Sequence, residues 1–227
     1  MATPQIDFSD IRMILCVQGY NLEYQYVVRE IGFSCLNGIS GSIPFNVKLN
    51  HNHLDVHNQR IVTQCEEQIN GLKLKRNFEN ALAASDIRPV LRTLFHLNSH
   101  CGKYIAVLRD EPLYGILHKS GIGNNVVYLD NLNILRNSNI SLPTIENFRQ
   151  YLKKNPDTYT ICPIHDRLLI NDNPICAKVK AEYFADYCKS LIKLQQTTPV
   201  HHVQSLPNEI PKKTLHSLLS DFDLNNF

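Results

Sequence analysis

The 227-residue sequence has no apolar run approaching the length of a membrane span. Its opening, MATPQIDFSD, does not have the character of a secretion signal, so the expectation is a cytoplasmic or nuclear protein with no membrane partner. It also lacks an excess of either charge. Lys and Arg number 23 against 21 Asp and Glu, a formal balance of +2. That balance points neither toward nucleic acid nor away from it, because a local patch is what matters. No glycine-rich phosphate loop is present. Gly38-Ile-Ser-Gly41 and Gly121-Ile-Gly123 are not set between a strand and a helix. Seven cysteines, an odd number, suit reduced thiols and a metal site better than a disulfide framework. The length predicts one domain of ordinary size plus a tail.

What the sequence does have is a dense group of soft ligands. Cys162-Pro-Ile-His165, followed by Asn-Pro-Ile-Cys176, spaces two thiols and an imidazole as Cys-x2-His-x10-Cys. Zn2+ prefers these ligand types, and the short first spacing lets two of them reach one metal from one loop. Asn173-Pro174 reads as the cap and first turn of a helix, with Cys176 pointing from that turn. A tetrahedral site would still need a fourth ligand from elsewhere. Cys16, Cys35, Cys65, Cys101 and Cys188 lack ligand spacing and read as core. His51, His53 and His57 lie in a polar stretch better read as a loop than as a metal site.

Hydrophobic patterning predicts strands at Ile11 to Val17, Tyr26 to Cys35 and Ile39 to Lys48, with Tyr20 to Glu23 a turn and Pro44 marking an edge or bulge. His51 to Arg60 reads as loop and Ile61 to Leu72 as helix. Asp86 to Asn98 carries apolar residues at helical spacing and has Gly102 just past its end. Tyr104 to Leu108 reads as a strand, Glu111 to Lys119 as a short helix, Val126 to Leu129 as a strand, and Pro143 to Lys153 and Pro174 to Leu194 as helices. The order β-β-β-α-β-α-β-α-α is that of an RNase H-like α/β fold with a mixed sheet of about five strands. The domain is expected over residues 1–196. The proline-bearing segment 197–213 reads as a linker, and 214–227 as a tail.

The chain resembles the Maelstrom domain, an RNase H-like domain derived from DEDD-type 3′–5′ exonucleases. The resemblance rests on Arg29-Glu30-Ile31-Gly32 in the second strand, taken with Cys162, His165 and Cys176-Ala177, and spans roughly residues 10 to 195. No HMG box of the kind that precedes the domain in many animal members is present. The chain is also similar to small invertebrate proteins of transposon or viral character that carry the domain alone. The resemblance implies one Zn2+ per chain, held by Glu30, Cys162, His165 and Cys176. Four protein ligands would close the metal to substrate and make it structural, clamping the last helix to the second strand.

A DEDD nuclease carries Asp-x-Glu in its first strand, because two-metal phosphoryl transfer needs neighbouring carboxylates. Here that strand reads Cys16-Val17-Gln18, and neither position offers a hard oxygen ligand for Mg2+. Asp110, Glu111 and Asp130 are too scattered to replace it. No catalytic residue is therefore assigned, and the expected role is nucleic-acid binding, RNA favoured, or service as an adaptor, with RNA silencing the setting the resemblance suggests. Lys73, Lys75, Arg76 and Arg109 are the candidate phosphate contacts. Two alternatives stand. One is a ribonuclease, of the DEDD lineage or metal-independent. The other is an interaction module whose tail offers Leu215, Leu218, Leu219 and Phe222 to a protein partner's groove.

Overall fold

In the computed structural model, residues 6–74, 77–78, 80–97, 102–109, 112–137, 141–165, 169–170, 173–174 and 176–197 are described. The chain divides into two units, residues 1–193 and 194–227. The elements named below belong to the first, apart from the end of the last helix. Of the expected linker 197–213 only Thr197 is described, and it ends the last helix rather than starting a linker. The rest of it and the tail, with Leu215, Leu218, Leu219 and Phe222, lie outside the described residues, as do Lys75, Arg76, Asp110, Glu111 and Cys101. Among the described residues no helix is long and apolar enough to cross a membrane.

Strands β1 (Ile11–Leu22), β2 (Gln25–Cys35) and β3 (Ser40–Asn46) form an antiparallel meander. Strands β5 (Tyr104–Val107) and β6 (Val126–Tyr128) join it in parallel on the far side of β1. A two-residue strand, β4 (Leu82–Ala83), closes the other edge, giving the order β4-β3-β2-β1-β5-β6. The sheet thus has six strands rather than about five. The protein is α/β, with a mixed sheet and flanking helices.

Helices α2 (Ile87–Leu97) and α3 (Leu113–Lys119) cover one face. Met13, Leu15 and Val17, spaced by two along β1, meet Leu91, Leu94, Leu113 and Leu117 in one buried cluster. Val28 and Ile31 of β2 belong to the same cluster although they are three residues apart. A bulge makes this possible. Gln18 pairs with Glu30 but Gly19 pairs with Val28, so Arg29 is an extra residue in β2. The alternation in β1 itself is unbroken. Tyr20 and Leu22 therefore face the other side of the sheet and fall into a second cluster with Val62 and Cys65 from the helix α1 (Val56–Gln64) and its π-helical continuation, Cys65–Ile69.

Several boundaries differ from the sequence reading. Tyr20 to Leu22 is strand, and the reversal falls at Glu23 and Tyr24. His51 to Arg60 is not loop throughout, since α1 begins at Val56, where Asp55 caps it by accepting from the Asn58 N–H at 2.8 Å. Asn173-Pro174 is not a helix start. It forms strand β8 (Asn173–Pro174), paired with β7 (Leu169–Ile170) in a small separate hairpin. The short helix α4 (Asn133–Asn137) was not foreseen. Helix α5 (Ile145–Lys154) is capped by Thr144, whose hydroxyl accepts from the Asn147 N–H at 3.1 Å. The last helix, α6 (Ala177–Thr197), packs on α5 through Phe148, Tyr151, Tyr183 and Phe184. Cys16, Cys35, Cys65 and Cys188 are buried, as expected.

Candidate metal centre

The Cys-x2-His spacing has a backbone cause. His165 N–H donates to the Cys162 carbonyl at 3.2 Å, which closes a turn with Pro163 and Ile164 at its corners. Proline presets the φ that the first corner of such a turn requires. The turn brings the two side chains, three residues apart, to one side. Cys176 arrives at the same place from another direction. Its carbonyl accepts from Lys180 N–H at 3.1 Å, so it sits at the N-terminal boundary of α6 rather than in a first turn begun at Pro174.

Glu30 comes up from β2 beneath them. One carboxylate oxygen lies 3.0 Å from Cys162 Sγ and 3.8 Å from Cys176 Sγ. The other lies 2.8 Å from His165 Nε2 and accepts from the Ala177 N–H at 3.0 Å. The two sulfurs are 3.6 Å apart, and the four donor atoms all lie within 4.8 Å of one another. All four residues are buried, Glu30 and Cys176 completely.

Gly32 permits this arrangement. A Cβ there would lie 2.1 Å from the Ala177 carbonyl carbon and 2.2 Å from the Lys178 nitrogen. Glu30 and Gly32, two apart on β2, face the same side of the sheet. The first raises a carboxylate to the start of α6, and the second lets the helix backbone come down onto the strand. Ala177, Ala181 and Ala185 continue the close approach along α6 at helical spacing, all fully buried. Sequence reasoning counted Gly32 as part of a motif and did not identify its packing role, nor that of the Ala177 N–H.

Electrostatics bears on whether the group is a hydrogen-bonded cluster or an ion site. A carboxylate withdrawn from water loses several kcal/mol even after relaxation. A helix N-terminus returns about 0.3–2 kcal/mol, so the Ala177 N–H does not offset that loss alone. The Cys162 thiol is held far above its usual range, first by its hydrogen bond with Cys176, then by burial and by the Glu30 carboxylate. Two sulfurs, an imidazole nitrogen and a carboxylate oxygen thus converge where burial disfavours the thiolate form. A bound cation reverses this, since it favours both the thiolate and the carboxylate. Bonds of about 2.0–2.3 Å imply tetrahedral edges of about 3.3–3.8 Å, close to the sulfur–sulfur separation of 3.6 Å. The group can hold a metal ion.

The other candidates are placed as follows. Gln18 sits across from Glu30, and Cys16 across from Gly32. Cys16 is fully buried, so β1 presents neither a carboxylate nor open space at these positions. Lys73 is exposed, and its carbonyl accepts from Arg29 Nη2 at 3.1 Å. Arg109 is exposed, pairs with Asp130 at 2.8 Å and stands 4.7 Å from the centre of the Tyr128 ring. These two basic residues do not belong to the metal centre. No family model matches the chain, and no curated protein does.

Proposed function

We propose that this chain is a zinc-bound, RNase H-like domain of the degenerate DEDD type, whose work is to bind RNA rather than cut it. The observation that carries the reading is the closed centre at Glu30. Four buried protein ligands on one sheet face leave no open coordination position, and the neighbouring β1 positions on that face are Cys16 and Gln18. Catalytic zinc keeps a position for water, whereas structural zinc does not. The two-sulfur, one-nitrogen, one-oxygen donor set favours Zn2+ over Mg2+ or Ca2+, which seek oxygen. The order of the five main strands, with β1 between an antiparallel meander and two parallel strands, supports the RNase H-like assignment. An adaptor role in RNA silencing fits the same reading.

The zinc supplies no reaction step. Glu30 ties β2 to the metal, Cys162 and His165 tie the loop, and Cys176 ties the start of α6. The sheet and the last helix are thereby held in one geometry for binding.

Metal analysis of the purified chain together with RNA mobility shifts tests the proposal. About one zinc per chain is expected, with binding to labelled single-stranded RNA that weakens steeply as salt rises. Absence of metal would refute the structural assignment. Absence of RNA binding at about 50 mM salt, where phosphate contacts are strong, would refute the functional one.

A further inference from the structure

Strand β3 carries two serines that the reading above does not use. Ser42 pairs with Gly32 and Ser40 with Ser34, while Pro44 pairs with Glu30. Residues paired across antiparallel strands point to the same face, so Ser40 and Ser42 stand on the face that Glu30 and Gly32 share. Both serines are half-buried. Each meets a different part of what lies above that face. The Ser40 hydroxyl donates to the Glu182 carboxylate of α6, which also takes Lys178 at 3.0 Å. The Ser42 hydroxyl is hydrogen-bonded to the Cys162 sulfur.

Gly32, opposite Ser42, puts no side chain between that hydroxyl and the Cys162 turn. The sense of the hydrogen bond follows from the ion. A sulfur that ligates a cation has lost its proton and can only accept. A serine hydroxyl can both donate and accept, and it rotates to suit its partner. It therefore donates here. The hydrogen bond with Cys176, burial and the Glu30 carboxylate all press Cys162 toward the protonated thiol, and the Ser42 hydroxyl presses the other way. Glu30 has a comparable donor in the Ala177 N–H, at 3.0 Å. Each of these contacts brings a neutral donor to an anionic ligand, one from the start of α6 and the other from β3.

We propose that Ser42 is a positioning residue of the metal centre, whose hydroxyl donates to the Cys162 thiolate, aims that sulfur at the ion and ties β3 to the site as a fourth segment. Outer partners of this kind hold ligands in orientation and set how strongly they bind. Ser40, on the same strand and the same face, reaches Glu182 rather than a ligand. The assignment rests on the zinc-bound reading.

The test is metal binding by the full chain. Zinc affinity is read by competition against a chromophoric chelator, and the sulfur–metal bond is read by absorption of the Co2+-substituted protein. Ser42→Ala should weaken zinc binding roughly ten- to hundredfold. It should also move the thiolate-to-cobalt charge-transfer band to longer wavelength, because a sulfur relieved of a hydrogen bond gives up charge more easily. Ser40→Ala is the control. It alters the same strand on the same face and should keep the affinity and the band of wild type. Loss of affinity without movement of the band, or an equal loss in Ser40→Ala, would mean that β3 acts through packing alone and would overturn the assignment. Wild-type affinity and band in Ser42→Ala would overturn it too and leave the zinc-bound reading standing. If wild type binds neither zinc nor cobalt, both proposals fall.

Discussion

Gly32 of β2 and Ala177 of α6 touch backbone to backbone. The place a side chain would occupy on the first lies 2.1 Å from the carbonyl carbon of the second. No rotamer relieves such a clash, because the obstacle is main chain. Gly32→Ala must push the start of α6 outward, and with it the Ala177 N–H and Cys176. Overpacking of this kind costs about 1–3 kcal/mol or more. We expect a lowered melting temperature together with reduced zinc content. A variant that keeps its metal and melts as wild type would show that the helix does not press on the strand.

On the zinc-bound reading, removing the ion should be more damaging than any single core truncation, because the Glu30 group joins three separate segments. Structural zinc contributes its binding free energy directly to folding. For a chain of this size each kcal/mol moves the midpoint by about 2–4 °C, so chelation should lower it by at least about 10 °C. Cys162→Ser and His165→Ala should behave like the chelated protein, and neither should respond further to a chelator. A melting curve indifferent to chelation would leave the group as a hydrogen-bonded cluster only.

The ligand loop was legible because its chemistry is local. Cys162 and His165 belong to one turn, and a turn leaves its spacing in the sequence. Glu30 could be proposed only through resemblance, since nothing around it distinguishes a buried carboxylate from one on a solvated edge. Asn173-Pro174 misled because the fixed φ of proline suits a helix start and an edge strand alike, and only pairing with Leu169–Ile170 decides the matter. Helix α1 was missed at its start because Val56 is exposed and the first buried residue is the polar Asn58. The bulge at Arg29 depends on register between strands, which a single strand's pattern does not record.

Arg29 itself invites a test. It is a fully buried cation whose Nη2 donates to the Lys73 carbonyl, and it faces the Phe78 ring at 4.9 Å. Burial holds its pKa below the usual arginine value, partly opposed by Tyr20 and Glu66. Arg29→Ala should cost about 3–5 kcal/mol, from the cavity and from the partners it strands. Arg29→Met keeps most of the volume without a charge to desolvate and should cost less than half as much. Urea unfolding with an unchanged slope distinguishes the two. Equal losses would mean that the charge, not the packing, holds the loop at Lys73.

Asp55 gives the chain an acid-sensitive cap. Its carboxylate accepts from the Asn58 N–H, which together with further hydrogen bonds holds its pKa below the ordinary value of 3.8. A depressed folded pKa means stabilisation that is present above the unfolded value and lost as pH falls through the folded one. Asp55→Asn keeps an acceptor at the cap but cannot titrate. Wild type should therefore be the more stable near pH 6, and the gap should narrow below pH 4 as Asp55 protonates. The side chain is exposed, so high salt should shrink the difference. A gap independent of pH would remove the carboxylate from the account.

Installing acidic residues on β1 tests whether the sheet face at Glu30 can carry two-metal chemistry. Two-metal catalysis needs carboxylates reached by Mg2+ and by substrate together. On β1 the positions are Cys16, opposite Gly32, and Gln18, opposite Glu30. Cys16 has no exposed surface and Gln18 only 9%. Placing acids there adds negative charge beside the Glu30 carboxylate, in a region that the start of α6 already closes. Burial and like charge both push such acids toward the protonated form, which is a poor ligand for Mg2+. The joint variant Cys16→Asp, Gln18→Glu should accordingly be less stable than wild type, with a midpoint that rises on acidification. Neither it nor wild type should degrade RNA faster when Mg2+ or Mn2+ is added. Metal-dependent 3′–5′ cleavage by the variant, abolished by EDTA, would mean that substrate can reach this face and that the centre is not closed.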